Sequence, residues 1–473
     1  MPRLPHAALA LLFAFTPLHA RTWTDSQGRT LEADYVSATA TDVTLRRAAD
    51  NRTFVLPLAT LTAADRNVVS AQLAASSAAK PSAPPARDFA ELNTLLGLPL
   101  LADDTLWDDE PAAVAKRLRL PIEGKTDRFE GYRAYARTPV PLMGADANML
   151  SLQAAEGRIT TLTIQFTNRG DYAAFQDRER FFSPSKADLK AFDEALKRDF
   201  DALSTALTVK LGEPKREIAV GGLDAGRRSL RWEWGAHALL VSQDAGQMVS
   251  LKIIPAEKSA TARLGDDQVR RMFKERITRR ANGDVILDQI PMVNQGPKGY
   301  CVPATFERYL RYAGIPADMY ELAATGGTDF GGGSSFETMT ASLDRFVRRQ
   351  GRRLEKAPLK LTVQGIARYI DEGRPIIWGL YSTEAYNALA NANTLARRTI
   401  TDGAPWKPVL TPAELAEIHP ESETSHACLI VGYNRVSNEI AVSDSWGPKF
   451  QERWVPAPAA LKASQDEYWV LAW

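Results

Sequence analysis

The sequence predicts a multidomain α+β protein, and three observations lead to that class. Residues 21–73 alternate short apolar strands with turn residues. Residues 89–258 hold two similar strand–turn–strand segments, each after a helical stretch. Residues 285–473 pass from an apolar helix to two buried strands near the end of the chain. A length of 473 residues also exceeds one ordinary domain.

Composition bounds the rest. With 45% hydrophobic and 24% charged residues the chain reads as globular rather than disordered or fibrous. The first twenty residues, "MPRLPHAALALLFAFTPLHA", carry Arg3, an apolar run from Ala7 to Phe15 and a small-residue ending. This is the pattern of a secretory signal peptide with cleavage after Ala20, and the run is too short to span a bilayer. Removal of Arg3 leaves 57 basic against 57 acidic residues. Such neutrality points away from nucleic acid and anionic membranes as partners, and no later stretch reads as a transmembrane segment. The expected protein is exported, to the periplasm or beyond the cell.

In the 21–73 module, turns fall at Asp25 to Gly28, at Asp42 and at Asp50-Asn51. The residues "RTWTD" (21–25), Gly28-Arg29 and Leu56-Pro57-Leu58 make it similar to the small SH3-like Sla homology domain, common in exported bacterial proteins. That resemblance implies a small β-barrel that is structural or binds a protein partner and is not catalytic. Residues 74–88, rich in Ala, Ser and Pro, read as an extended linker.

In the middle region "MLSLQAAEGRITTLTIQF" (149–166) and "LLVSQDAGQMVSLKII" (239–254) align from Gly157 and Gly246, setting Leu162 against Leu251 and Ile164 against Ile253. Leu189, Phe192, Leu196, Phe200, Leu203 and Leu207 mark a helix that Gly212 closes. Two α+β half-units packed as one domain, for recognition or as a pro-domain, are expected at 89–258. His237 lies in a strand pattern there and reads as a packed or surface residue. Residues 259–284 read as a basic helical connector with a solvated face. The sharper reading of that connector is a processing site near Arg279-Arg280.

The chemistry concentrates in residues 285–473. In "NQGPKGYCVPATFERYL" (294–310), Cys301, one of two cysteines, opens a helix in which Pro303 suits the first turn and Phe306, Leu310 and Ala313 continue an apolar face up to Gly314. A helix N-terminus and a neighbouring imidazolium both lower a thiol's pKa from about 8.5. Past residue 20 the histidines are His237, His419 and His426; His419 lies in a polar loop, whereas His426 opens "HACLIVGYN", an apolar run read as a buried strand that ends in a Gly-Tyr-Asn turn. A hairpin from 426–433 to 439–445 would set Asp444 beside His426 as the group that orients its ring, with Trp446 covering that bond. Gln295, six residues before Cys301 across a Gly-Pro-Lys-Gly loop, supplies an amide that could fold back over the nucleophile as an oxyanion-hole donor.

Gln295, Cys301, "SHACLIVGY" and "SDSWG", in that chain order, make residues 285–473 similar to the papain-like cysteine peptidases. The aspartate in "SDSWG" and the missing tryptophan after Cys301 resemble the C39-like branch. The resemblance implies Cys301 as nucleophile, His426 as general base and acid, Asp444 as orienting residue and Gln295 as oxyanion donor. It implies a peptide or protein substrate and no metal or organic cofactor. Each residue alone has an ordinary reading: a packed cysteine, a core histidine, a turn aspartate. The same triad order also suits an amidase or transamidase on cell-wall peptides, and a silent binding protein could retain the fold.

Cys428, two residues after His426, reads as a buried apolar cysteine or, as a redox latch, a disulfide partner of Cys301. The glycine cluster 326–333 reads as a flexible loop lining the cleft or merely joining helices, with Ser334 and Glu337 forming a capping box for the next helix. Residues 397–425 read as a long loop with one short helical stretch, a cleft wall or lid. The run 345–356 reads as a solvated basic face.

Overall fold

The computed structural model describes the chain apart from residues 1–20, 40, 51, 79–88, 104–105, 173–183, 219–222, 224–226, 245, 258–262, 297, 329–332, 399–405, 407, 409 and 420–423. The expected signal peptide, most of the linker and the centre of the glycine cluster thus lie outside the described residues. The chain divides into two compact units, Met1–Pro85 and Ala86–Trp473.

In the first unit β1 (Arg21–Thr24), β2 (Thr30–Ala38), β3 (Asp42–Arg47) and β4 (Thr53–Pro57) form an antiparallel meander in sequence order. The alternation of the sequence sends Trp23, Ala33, Val43 and Leu45 to one face, where they are buried with Leu61 and Val69. The Asp25 carboxylate accepts the backbone N–H groups of Gln27 and Arg29, closing the first turn at Gly28, whose φ is 80°. Helix α1 (Ala63–Ala78) follows, and Asp65 in its first turn accepts the Thr24 N–H at 2.8 Å, tying the helix to β1. Residues 74–78 are therefore helical rather than extended linker. Alanine is the strongest helix former, and the first helix-breaking residue is Pro81.

The second unit begins with α2 (Phe89–Leu96) and α3 (Pro111–Arg117). The strands β5 (Ile122–Lys125), β6 (Phe129–Leu142), β7 (Ala145–Ala155) and β8 (Arg158–Asn168) come next, then α4 (Lys186–Leu211). The strands β9 (Lys215–Ile218), β10 (Arg228–Trp234), β11 (His237–Asp244) and β12 (Met248–Pro255) complete an eight-stranded antiparallel sheet ordered β5-β6-β7-β8-β12-β11-β10-β9. Two four-strand meanders meet there in mirrored order. At the β8–β12 seam Leu162 stands opposite Ile253 and Ile164 opposite Leu251. The β7–β8 turn places Glu156 and Gly157 at φ 52° and 76°, the left-handed pair that a two-residue hairpin turn requires. Helix α4 is capped by a Ser185–Asp188 box and ended by Gly212, and it buries Phe192, Leu196, Leu203 and Leu207 against this sheet. Leu189, in its first turn, is exposed. His237 is buried beside Trp107, with ring centroids 5.4 Å apart.

Helix α5 (Asp266–Glu275) leads into β13 (Ile277–Arg279) and β14 (Asp284–Leu287). Residues 277–284 are thus a strand and a turn, not helical connector: Ile277 and Thr278 are β-branched, and Gly283 at φ 88° makes the turn that pairs β13 with β14. Both residues of the basic pair near this turn are engaged, Arg279 with Asp371 at 2.8 Å and Arg280 with Glu452 at 2.6 Å.

The next elements are α6 (Cys301–Tyr312), α7 (Met319–Thr325), α8 (Phe336–Arg349), β15 (Arg353–Lys356), α9 (Val363–Ile370), β16 (Ile376–Tyr381), α10 (Glu384–Arg397) and α11 (Pro412–Glu417). The chain ends with β17 (Ser425–Asn434), β18 (Glu439–Ser443), β19 (Arg453–Pro456), α12 (Ala457–Ala463) and β20 (Ser464–Ala472). Their sheet runs β13-β14-β17-β16-β20-β15, and β18 and β19 extend it from β17. Strand β17 continues through Gly432, Tyr433 and Asn434 instead of turning there. Gly432 is needed in the strand because a Cβ would lie 2.6 Å from the Val285 carbonyl of β14. The α8 cap is Ser335, which accepts the Thr338 N–H; Ser334 bonds Thr328 instead, so the expected Ser334–Glu337 box does not form.

A buried ionic cluster joins three of these elements. Arg397 of α10 bonds Asp284 of β14 at 2.5 Å and Glu439 of β18, and all three residues are buried. Breaking one side of such a cluster strands the charges left behind and destabilises by about 3–5 kcal/mol. Arg397→Met is expected to lower unfolding stability by about that amount in urea titrations, with the m-value unchanged.

Candidate functional site

Cys301 is the first residue of α6 and is half-buried. Its sulfur accepts backbone N–H groups of Val302, in the same helical turn, and Ala427, on β17. Thr305, one turn along, donates to the Ala427 carbonyl at 3.0 Å, so α6 is fastened to β17 beside His426.

The His426 ring is buried at the start of β17 and bridges two partners. Its Nε2 lies 3.0 Å from Asp444 Oδ1, and its side chain also hydrogen-bonds Cys301, which leaves Nδ1 for the sulfur. Asp444 follows β18, whose register sets Ser443 opposite Leu429 and brings the carboxylate alongside the ring. Trp446 stacks on His426 with centroids 4.5 Å apart and planes at 25°, covering the His–Asp bond from water. Cys301, His426 and Asp444, expected to act together, are brought together.

Gln295 is buried, and its backbone N–H donates to the Ser445 carbonyl at 2.8 Å, next to Asp444. Its Nε2 donates to the Lys298 carbonyl at 2.9 Å, which folds the 295–301 loop tightly while leaving a second N–H on that nitrogen. Gly296 sits at φ 69° in the same loop, and its N–H caps onto Asn294 Oδ1 at 3.0 Å. Pro297 lies outside the described residues.

Three further residues complete the site, and sequence reasoning missed them. Arg453 on β19 donates to Asp444 Oδ2 at 2.7 Å, and Asn387 on α10 accepts from Arg453 at 3.0 Å. Arg308 on α6 is wholly buried and donates to the Pro291 and Ser443 carbonyls, each at 2.9 Å, clamping the helix to the segment that carries Asp444. The only signal for Arg453 is a charge inside the apolar run "RWV", which needs a buried partner. Arg308, in "TFERYLRY", reads as an ordinary exposed helix position.

The electrostatics follow from this arrangement. Burial pushes the Cys301 thiol up, but the hydrogen bond and charge of His426 outweigh it, and the thiol falls below its ordinary value. Burial works against the His426 cation too, yet the bonds to Asp444 and Cys301 raise its pKa to about 9. Asp444 resists burial through His426 and Arg453 and stays below the usual carboxylate range. The arrangement favours a thiolate–imidazolium pair backed by a carboxylate, the activated form of a sulfur nucleophile.

Cys428 differs sharply. It is fully buried on β17 opposite Trp378, and burial drives its thiol well above the ordinary range. Both cysteines are free in this structure, and Cys428 is packed into the core. His419 Nδ1 bonds the Glu417 carbonyl away from this site. Among the described residues no group of three or more His, Cys, Asp or Glu is placed to hold a metal ion, and no helix is long and apolar enough to cross a membrane.

Residues 287–471 match the model of the Peptidase_C39 like family, and the match contains Gln295, Cys301, His426 and Asp444. It supports a C39-like peptidase region at the C-terminal end of the chain. No curated protein matches the chain.

The His426 ring is expected to titrate near 9 by NMR. Asp444→Asn removes an interaction that favours the cation, so the midpoint should move down toward the ordinary histidine value of about 6.5. A midpoint that stays put would show that Asp444 does not support the ring.

Proposed function

We propose that the C-terminal region is a thiol hydrolase of the papain-like kind that cleaves peptide bonds, with Cys301, His426 and Asp444 as its triad and Gln295 in its oxyanion hole. The observation that carries this reading is the His426 ring hydrogen-bonded to Cys301 on one side and to Asp444 at 3.0 Å on the other. The family match over 287–471 supports peptidase chemistry in the same region.

The steps follow from the charge state. The Cys301 thiolate attacks the substrate carbonyl carbon, and the carbonyl π pair moves onto oxygen. The free Nε2 N–H of Gln295 and the Cys301 backbone N–H are the donors for that oxyanion. The His426 imidazolium gives its Nδ1 proton to the leaving nitrogen as the C–N bond breaks, leaving a thioester on Cys301. Neutral His426 then takes a proton from water as the water oxygen attacks the thioester; the sulfur departs as thiolate, and a carboxylic acid is released. Asp444 holds the ring's tautomer and plane throughout without titrating, because Arg453 occupies its second oxygen. This chemistry uses no metal or organic cofactor.

The remainder of the chain fits an exported enzyme. Residues 1–20 act as the signal peptide, and residues 21–73, whose meander supports the SH3-like reading, serve as a docking module for a protein partner. The mirrored meanders of the middle sheet support an internal duplication at 89–258.

Labelling with a papain-class epoxide, read by intact mass and peptide mapping, tests the reading. One label is expected on Cys301; it should vanish in Cys301→Ala and form about 10²-fold more slowly in His426→Ala. Label spread equally over Cys301 and Cys428 would defeat the assignment. Transfer of the acyl group to an added amine in preference to water, seen by mass spectrometry, would make the enzyme a transamidase instead.

Hydrolysis should also trace a bell in pH. Below the lowered thiol value the thiolate takes up a proton, and above about 9 the imidazolium loses the one it must give to the leaving group. The alkaline limb is therefore expected near 9 in kcat/KM, and a profile still rising there would contradict the role of His426.

A further inference from the structure

The loop from Gln295 to Cys301 is held from outside the family-matched region. Lys298 lies in that loop with its side chain wholly buried, an unusual place for an ammonium group. Its Nζ meets Asp171 Oδ1 at 2.5 Å and the Tyr320 hydroxyl at 3.0 Å, and the Tyr135 ring lies 4.1 Å from it. Tyr320 in turn donates to the other Asp171 oxygen at 2.7 Å. Asp171 follows β8, and Tyr135 belongs to β6, so the cage is built largely by the middle sheet.

Asn294, just before Gln295, is gripped by the same sheet. Its N–H donates to Glu123 of β5 at 2.7 Å, and its carbonyl accepts the Tyr135 hydroxyl at 2.5 Å. The approach is close at Gly170, where a Cβ would stand 2.7 Å from both Lys298 Cδ and the Tyr300 ring. Met149 and Met248 of the sheet bury themselves with Val293, Tyr300 and Ala304. The decisive feature is Lys298 itself. Its ammonium is fixed by Asp171, while its backbone carbonyl holds Gln295 Nε2 at 2.9 Å. One residue links the middle sheet to the amide that would face an oxyanion.

We infer that the middle sheet is a permanent part of the active site rather than a removable pro-domain, with Asp171 acting through Lys298 as the residue that positions the Gln295 amide. This rests on the peptidase reading above. It separates two functions: the Cys301–His426 pair is built on α6 and β17 and forms without Asp171, whereas oxyanion stabilisation depends on it. A charge that burial disfavours stays in place only while its counter-ion does, so losing Asp171 frees Lys298 to leave the cage and takes its carbonyl with it.

The test uses the full chain and the variant Asp171→Ala. Loss of one oxyanion donor slows acyl transfer by about 10²–10³-fold, so kcat on a peptide substrate should fall by about 10²-fold with KM little changed. Alkylation of Cys301 by iodoacetamide, which needs the thiolate but no oxyanion hole, should stay within about twofold of the parent. Hydrogen exchange should quicken across residues 294–300 and remain unchanged across 426–444. Lys298→Met removes the charge and keeps the stem; it is expected to lower kcat at least about tenfold and to serve should Asp171→Ala fail to fold. Parental kcat in both variants, alkylation falling in step with kcat, or unchanged exchange at 294–300 would each overturn the inference. A parent chain that alkylates rapidly yet cleaves no peptide would defeat the peptidase reading separately, and exchange at 294–300 would still decide the role of Asp171.

Discussion

Everything at the site depends on keeping one carboxylate ionised where water cannot reach it. Asp444 is almost completely buried, and a lone charge in that position would simply take up a proton. Here each oxygen has its own cationic partner, His426 at 3.0 Å and Arg453 at 2.7 Å. That double pairing dictates the surrounding architecture. Strand β19 must lie beside β18 with Arg453 opposite Val442 to reach the carboxylate, and α10 must cross behind to present Asn387 to the guanidinium. Trp446 lies over His426, and the Arg453 guanidinium over Trp446 at 5.6 Å, so the polar chain runs under an aromatic cover. The Cys301 sulfur, hydrogen-bonded to His426, is the far end of this chain.

The convergence of Cys301, His426 and Asp444 was legible in the sequence because the chemistry expected of them restricts both residue type and local setting. A nucleophilic cysteine needs a helix entrance, and the residues after Cys301 announce one through Pro303 and the Phe306–Leu310 spacing. A rigid imidazole needs a strand, and in the region that carries Cys301 only His426 opens an apolar run. The helix at 186–211 was equally plain, since a single 3.6-residue stripe and a closing Gly212 leave little choice. Strand β17 outran its expected turn because Gly432 there serves close strand packing, a use of glycine that sequence alone does not separate from a bend.

What escaped the sequence depended on partners distant along the chain. Arg453 and Arg308 look like surface arginines until the fold buries them against Asp444 and Ser443. The strands at 277–287 are too short and too charged to show an alternating pattern, and they become strands because β17 offers an open edge at Gly432 to Asn434. The cap at Ser335 rather than Ser334 was decided by Thr328, which engages the neighbouring hydroxyl. In each case tertiary contact overrode a local signal that was weak or ambiguous.

The contacts of Glu123, Tyr135, Gly170 and Asp171 with the 294–300 loop bear on how such a chain can change over generations. The family match begins at residue 287, yet the electrostatic unit around Lys298 begins far upstream of it. Recombination that joined this hydrolase region to a foreign upstream sheet would inherit a buried ammonium with no counter-charge and a tyrosine wall that no longer fits. The two regions must therefore travel together as one heritable block. Position 170, where any side chain would strike Lys298 and Tyr300, should tolerate as little variation as a residue that touches substrate.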